Sequence, residues 1–68
     1  MLKSLSKRQQ EVLLCVRLHK SSKEISSVMG ISVRTVNLHI GLAMKKLQAR
    51  TRYEAVDKAI TLELLRPG

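Results

Sequence analysis

Helix-start signals recur along this chain of 68 residues and divide it into short segments. A Ser or Thr followed three residues later by Gln or Glu can form a capping box, in which each side chain accepts a hydrogen bond from the other residue's backbone N–H. The pattern occurs at Ser6 with Gln9, Ser21 with Glu24, and Thr51 with Glu54. Apolar residues then recur at steps of three and four, and no segment alternates as a strand would. The sequence predicts an all-α, bundle-like domain with four helices over about residues 7–19, 22–29, 33–47 and 52–65.

A single glycine separates the second and third predicted helices. Gly30 can adopt the left-handed conformation that ends a helix, and Ser32 is a suitable N-cap for the helix that follows. The apolar stripe of that third helix is Val33, Val36, Ile40, Ala43 and Leu47. A short helix, a tight turn containing glycine and a longer helix form the helix-turn-helix arrangement.

The chain is strongly basic. Its 13 Lys and Arg residues outnumber 5 Asp and Glu, which gives a net charge of +8. The excess is local as well, because no acidic residue occurs between Ile25 and Tyr53. Net charge alone fits nucleic acid, an anionic membrane or simple solubility, but its concentration on one segment favours nucleic acid.

Length and residue types exclude several classes of protein. A chain of this size forms one small domain, no apolar run approaches the ~18 residues of a membrane span, and no signal-peptide pattern is present, so we expect a cytoplasmic location. Cys15, the only cysteine, is expected to be half-buried and cannot form an internal disulfide. Cys15 and His19 lack a third neighbouring ligand, so no metal site is predicted. The sequence shows no nucleophile–base pair or glycine-rich phosphate loop, so we predict no enzymatic activity and no cofactor.

Five stretches together resemble the DNA-binding domain of LuxR, FixJ, NarL and GerE-type bacterial regulators. They are LSKRQQEVL (5–13), SKEIS (22–26), GISVRTVNLH (30–39), KKL (45–47) and RYEAV (52–56). The resemblance implies that residues 1–68 are one domain, either alone or as the C-terminal piece of a larger regulator. It also implies that the third helix lies in the major groove and that the fourth forms a homodimer contact. The chain departs from the family at His19 and Gln48, where glycine is usual.

The resemblance implies that contacts with DNA lie on the exposed face of the third helix. In the family's Thr-Val-x-x-His motif the two middle positions reach base edges, and here they are Asn37 and Leu38. The Asn37 carboxamide can pair with adenine, and Leu38 either enters a side core or meets a thymine methyl. The predicted base contacts are Asn37, Leu38, Arg34 and Gly41. For Arg34 a phosphate is the favoured alternative, and Gly41 offers no side chain. The predicted phosphate contacts are Ser32, Thr35, His39, Lys45, Lys46, Arg50 and Arg52.

The fourth predicted helix carries more apolar residues than one buried stripe can hold. Part of this surface is therefore expected to meet another chain or another domain. The predicted dimer interface consists of Tyr53, Ala55, Val56, Ala59 and Leu62.

Three functional hypotheses fit these features. The first is sequence-specific binding of double-stranded DNA by a transcriptional regulator that forms a homodimer, weak without DNA. The second is a polymerase-docking module that resembles the last region of a primary sigma factor, which makes RNA polymerase a second candidate partner. The third is a cationic helical module whose main partner is RNA, a membrane or a protein.

Overall fold

The computed structural model describes residues 4–65, and these residues form helices and connecting turns without any strand. The helices are α1 (Lys7–Arg17), α2 (Ser22–Met29), α3 (Val33–Leu47) and α4 (Arg52–Thr61). Helix α3 contacts each of the other three, and α1 also packs against α4. The all-α fold with a helix-turn-helix is therefore as predicted. Gly30 ends α2 with φ 68°, the left-handed conformation expected there.

Local capping explains where the helices begin. The Ser6–Gln9 and Ser21–Glu24 capping boxes are both complete. The predicted box at Thr51 is only half formed: the Thr51 hydroxyl accepts from the Glu54 N–H at 3.0 Å. The Glu54 carboxylate instead accepts from the Arg50 N–H at 3.1 Å, because the chain before α4 turns that amide toward it.

Two helices are shorter than predicted, and both end through a left-handed residue. Helix α1 ends at Arg17 rather than at residue 19, since His19 has φ 62° and its N–H bonds back to the Val16 carbonyl at 2.8 Å. Helix α4 ends at Thr61 rather than at residue 65, since Glu63 has φ 59°. The turn after α4 returns the chain to the domain and leaves Leu65 only 3% exposed.

One core is shared by all four helices. Helix α2 contributes a single buried side chain, Ile25, and the segment before α1 contributes Leu5 as expected. Cys15 is half-buried against this core, also as expected. Val33 was predicted to be buried but is 41% exposed, because it is the first residue of α3 and the buried stripe starts one turn later. The buried apolar residues are Leu5, Val12, Leu13, Val16, Ile25, Val36, Ile40, Ala43, Leu47, Ala55, Val56, Ala59 and Leu65.

Candidate nucleic-acid interface

The outer face of α3 is exposed along its whole length. Its exposed residues include Arg34, Asn37, Leu38, Gly41 and Lys45. They recur at steps of three and four, so they lie on one side of the helix, opposite the buried stripe. Leu38 is 58% exposed, which excludes the side-core alternative for this residue. The face offers an amide, an apolar contact and positive charge.

The N-terminus of α3 is suited to an anion. The Ser32 hydroxyl accepts from the Thr35 N–H at 3.0 Å and donates to the Thr35 hydroxyl oxygen at 2.9 Å. No acidic residue occurs in this first turn. A helix N-terminus carries partial positive charge from its unpaired N–H groups, which attracts phosphate.

Asn37 belongs to a hydrogen-bonded chain that links three helices. The Ser22 hydroxyl, at the start of α2, donates to Asn37 Oδ1 at 2.6 Å. Arg52, the first residue of α4, donates from Nη1 to the Ser22 hydroxyl oxygen at 3.4 Å. No sequence pattern indicated that Ser22 contacts Asn37, because the two lie 15 residues apart and no spacing rule connects them.

The two adjacent lysines of α3 have different environments. Lys46 Nζ donates to the Ser4 carbonyl at 3.0 Å and to Gln9 Oε1 at 3.1 Å, which ties the N-terminal segment and α1 to α3. Lys45 is exposed on the outer face. From the sequence these two residues were predicted to be equivalent phosphate contacts, whereas the structure gives the Lys46 ammonium partners within the fold.

The remaining predicted phosphate contacts are more dispersed. His39 is half-buried and Arg50 is exposed. Arg52 is half-buried and its guanidinium donates to Ser22, so it is not a simple surface cation. Lys58, which no sequence pattern indicated, donates to the Gln48 carbonyl at 2.9 Å and pairs with Glu54 at 3.5 Å.

Comparison with known proteins identifies the family. The family model for bacterial regulatory proteins of the luxR family matches residues 3–59, which is most of the chain. The chain belongs to this family. The LuxR family is one of transcription regulators rather than enzymes.

Individual relatives agree with this assignment. The HTH-type transcriptional activator RamA of Corynebacterium glutamicum is 46% identical over 55 residues, covering 81% of this chain and 20% of RamA. The transcriptional activator protein AhyR of Aeromonas hydrophila is 34% identical over 65 residues, covering 96% of this chain and 25% of AhyR. The solved structure of the transcription factor GerE has a TM-score of 0.88 at 28% identity and covers 98% of this chain and all of that one. The LuxR-family chain thus spans a fifth to a quarter of the length of these two activators.

At His19 and Gln48, where the resemblance implies glycine, the backbone of this chain has the left-handed conformation that glycine favours. Both residues have positive φ, 62° and 53°, the region that glycine enters without strain. Neither departure lies on the outer face of α3. The His19 ring also lies 5.6 Å from the Tyr53 ring, a contact that glycine could not make.

In this LuxR-family domain, fewer apolar side chains of α4 are exposed to a partner than predicted. Ala55 and Ala59 are fully buried and Val56 is 4% exposed, so these three side chains pack in their own core and cannot form a dimer surface. Tyr53 and Leu62 are 51% and 58% exposed. They remain available to a partner.

Metal-binding and membrane-spanning features are both absent from the part of the chain that the structure describes. Among residues 4–65, no group of three or more His, Cys, Asp or Glu side chains is arranged to hold a metal ion. Within the same range, no helix combines the length and apolar character that crossing a bilayer requires.

Proposed function

We propose that this chain is the DNA-binding domain of a bacterial transcriptional regulator and binds specific double-stranded DNA with α3 in the major groove. The exposed outer face of α3, which combines Asn37, Leu38 and cationic residues, is the observation that supports this proposal most strongly. A major groove admits one α-helix and presents a distinct hydrogen-bonding pattern for every base pair. The absence of acidic residues from Ile25 to Tyr53 leaves nothing on this segment to repel phosphate.

The roles divide along α3. Asn37 and Leu38 contact base edges, and Gly41, which is exposed and has no side chain, lets the next turn approach the groove closely. The fold itself does not require glycine there, since a Cβ at this position would meet no protein atom within 4 Å. Arg34 contacts a phosphate or a guanine near the start of the helix. The phosphate contacts proposed are Ser32, Thr35, His39, Lys45 and Arg50. Lys46 and Arg52 add positive charge to this surface while their side chains also hold the fold together.

We also propose that two copies bind a palindromic site through a surface that includes Tyr53 and Leu62. These are large apolar side chains that remain exposed on and just after α4. We propose that the regulator receives its signal outside residues 1–68, because RamA and AhyR are much longer than this chain.

Selection of bound duplexes from a random pool, followed by competition with single-base variants, tests the proposal. Asn37→Ala should weaken binding to the selected site by about 1–3 kcal/mol and relax discrimination at one position per half-site. Its affinity for unrelated DNA should hardly change, because phosphate contacts supply that affinity. Thr61→Ala, an exposed change at the end of α4, is the matched control.

The outcomes separate the hypotheses. An equal loss for Asn37→Ala on every duplex would show that Asn37 does not read a base. Equal affinity for duplex, RNA and anionic vesicles would favour a general polyanion binder, and binding only with RNA polymerase would favour the sigma-like module. Sedimentation of the complex should find two domains per palindrome, and the selected sequences should have half-sites about 10 base pairs apart. One domain per palindrome would contradict the dimer.

A further inference from the structure

Asn37 can present either of two different groups to a base, and the fold determines which. A carboxamide has a hydrogen-bond acceptor at one end and a donor at the other, and rotation by half a turn exchanges them. In this domain the oxygen is engaged by Ser22 at 2.6 Å. Among residues 4–65, the Asn37 NH2 group has no partner, and Asn37 itself is exposed.

Arg52 gives the chain of hydrogen bonds its direction. A guanidinium has only donors, so at 3.4 Å it can only donate to the Ser22 hydroxyl oxygen. The positive charge polarises that hydroxyl and makes it a better donor toward the next group. The group that accepts from Ser22 is the Asn37 oxygen, and a flipped carboxamide would leave the Ser22 proton without this acceptor.

We propose that Ser22 and Arg52 are positioning residues that hold the Asn37 carboxamide with its NH2 group toward the groove, and so determine which base edge α3 accepts. This inference rests on the proposed function. Guanine, adenine and thymine each carry a major-groove acceptor, whereas cytosine presents only its N4 amino donor. Asn37 held in this orientation therefore rejects cytosine at the base it faces.

Ser22 can be tested without removing the cap of α2. The N-cap is Ser21, whose capping box with Glu24 does not involve the Ser22 side chain. Ser22→Ala removes only the hydroxyl, and Ser22→Thr restores one. We expect both variants to unfold within a few degrees of the wild type.

The measurement is the affinity for the selected site and for its variant with cytosine at the position assigned to Asn37. In Ser22→Ala the carboxamide is free to flip and accept from cytosine N4, so the discrimination against cytosine should fall by about two- to tenfold, the worth of one neutral hydrogen bond. Ser22→Thr should restore it. In an Asn37→Ala background, Ser22→Ala should change base preference no further, because the two residues act through one contact.

Other results would overturn the inference. If the wild type prefers no duplex at all, the proposed function fails, and the positioning role fails with it. If the wild type discriminates and Ser22→Ala discriminates equally well, the function stands and the positioning role is wrong. An equal loss on every duplex would likewise assign Ser22 to phosphate binding.

A measurement on the free domain checks the same inference independently of DNA. Nitrogen-15 relaxation of the Asn37 side-chain amide should report restricted motion in the wild type and in Ser22→Thr. It should report greater motion in Ser22→Ala. Equal motion in all three would show that the hydroxyl does not hold the carboxamide.

Discussion

Replacing Lys46 by alanine should destabilise the fold, whereas the same change at Lys45 should weaken DNA binding. The two lysines are neighbours in α3 and have the same charge. Only Lys46 bridges separate parts of the chain, by donating to the Ser4 carbonyl and to Gln9 Oε1. The pair therefore separates the stabilising role of a cation from its role toward phosphate.

The magnitude is worked from the hydrogen bonds that Lys46 donates to the Ser4 carbonyl and to Gln9 Oε1, which are 3.0 Å and 3.1 Å long. Hydrogen bonds to a charged group contribute about 1.5–3 kcal/mol when solvent does not compete. Lys46 and Ser4 are exposed, so we expect only about 1–2 kcal/mol for the two together. Gln9 Oε1 keeps its bond from the Ser6 N–H at 2.9 Å, so the change leaves no buried acceptor unpaired.

Thermal unfolding and a salt titration of DNA affinity measure the two roles. A loss of 1 kcal/mol lowers the Tm of a domain this small by about 4–8 °C, so Lys46→Ala should melt about 4–16 °C below the wild type. Lys45→Ala should stay within about 0.5 kcal/mol of wild-type stability but reduce the salt slope by about 0.9, because one phosphate is no longer neutralised. If Lys46→Ala melts like the wild type and flattens the slope like Lys45→Ala, its ammonium serves DNA and the interhelical role is refuted.

Two other perturbations have directions that the structure determines. Gly41→Ala should raise the free energy of unfolding by about 1 kcal/mol, since the added Cβ meets no atom within 4 Å; an unchanged or lower value in urea unfolding would contradict this. The pKa of Glu24 is lowered, mainly by a hydrogen bond from the Ser21 backbone N–H and to a smaller extent by one from the Ser21 side chain. The ionised carboxylate therefore stabilises the fold above the ordinary glutamate pKa, and this contribution is lost as pH falls through the lowered value. The stability advantage of the wild type over Glu24→Gln should accordingly shrink in acid, and a pH-independent difference would argue against it.

The starts of the helices were predictable because they depend on neighbours in the sequence. Ser6 and Ser21 each find their capping partner three residues later, inside the same turn. The ends of α1 and α4 were predicted less well. They depend on His19 and Glu63 adopting positive φ, which neither residue type favours.

Ala55, Val56 and Ala59 were assigned to a dimer interface because α4 was predicted to continue to residue 65. A helix continuing to residue 65 would spread its apolar residues over an arc too wide for one core. The helix stops at Thr61, and the chain turns so that Leu65 reaches the core by another route. Fewer apolar side chains then share the face of α4, and the core accommodates Ala55 and Val56.

The exposed face of α3 was predictable in the same way as the helix starts, because periodicity alone places Asn37 and Lys45 outside the buried stripe. The partners of Asn37 and Lys46 were not. Ser22 precedes Asn37 by 15 residues and Gln9 precedes Lys46 by 37, so these contacts exist only once the helices have packed.

Because α2 is short, the packing of α2 on α3 is connected to the orientation of the Asn37 side chain on the exposed face of α3. An eight-residue helix is not stable alone in water, and Ile25 is its only buried side chain. Its position on α3 is held by Ile25, by half-buried Met29 against the core, and by the hydrogen bond from Ser22 to Asn37. Because this bond joins the supporting helix to the proposed base-reading residue, a shift of α2 would also reorient the Asn37 carboxamide. If α3 reads bases as proposed, α2 therefore influences which base Asn37 accepts through the hydrogen bond from Ser22.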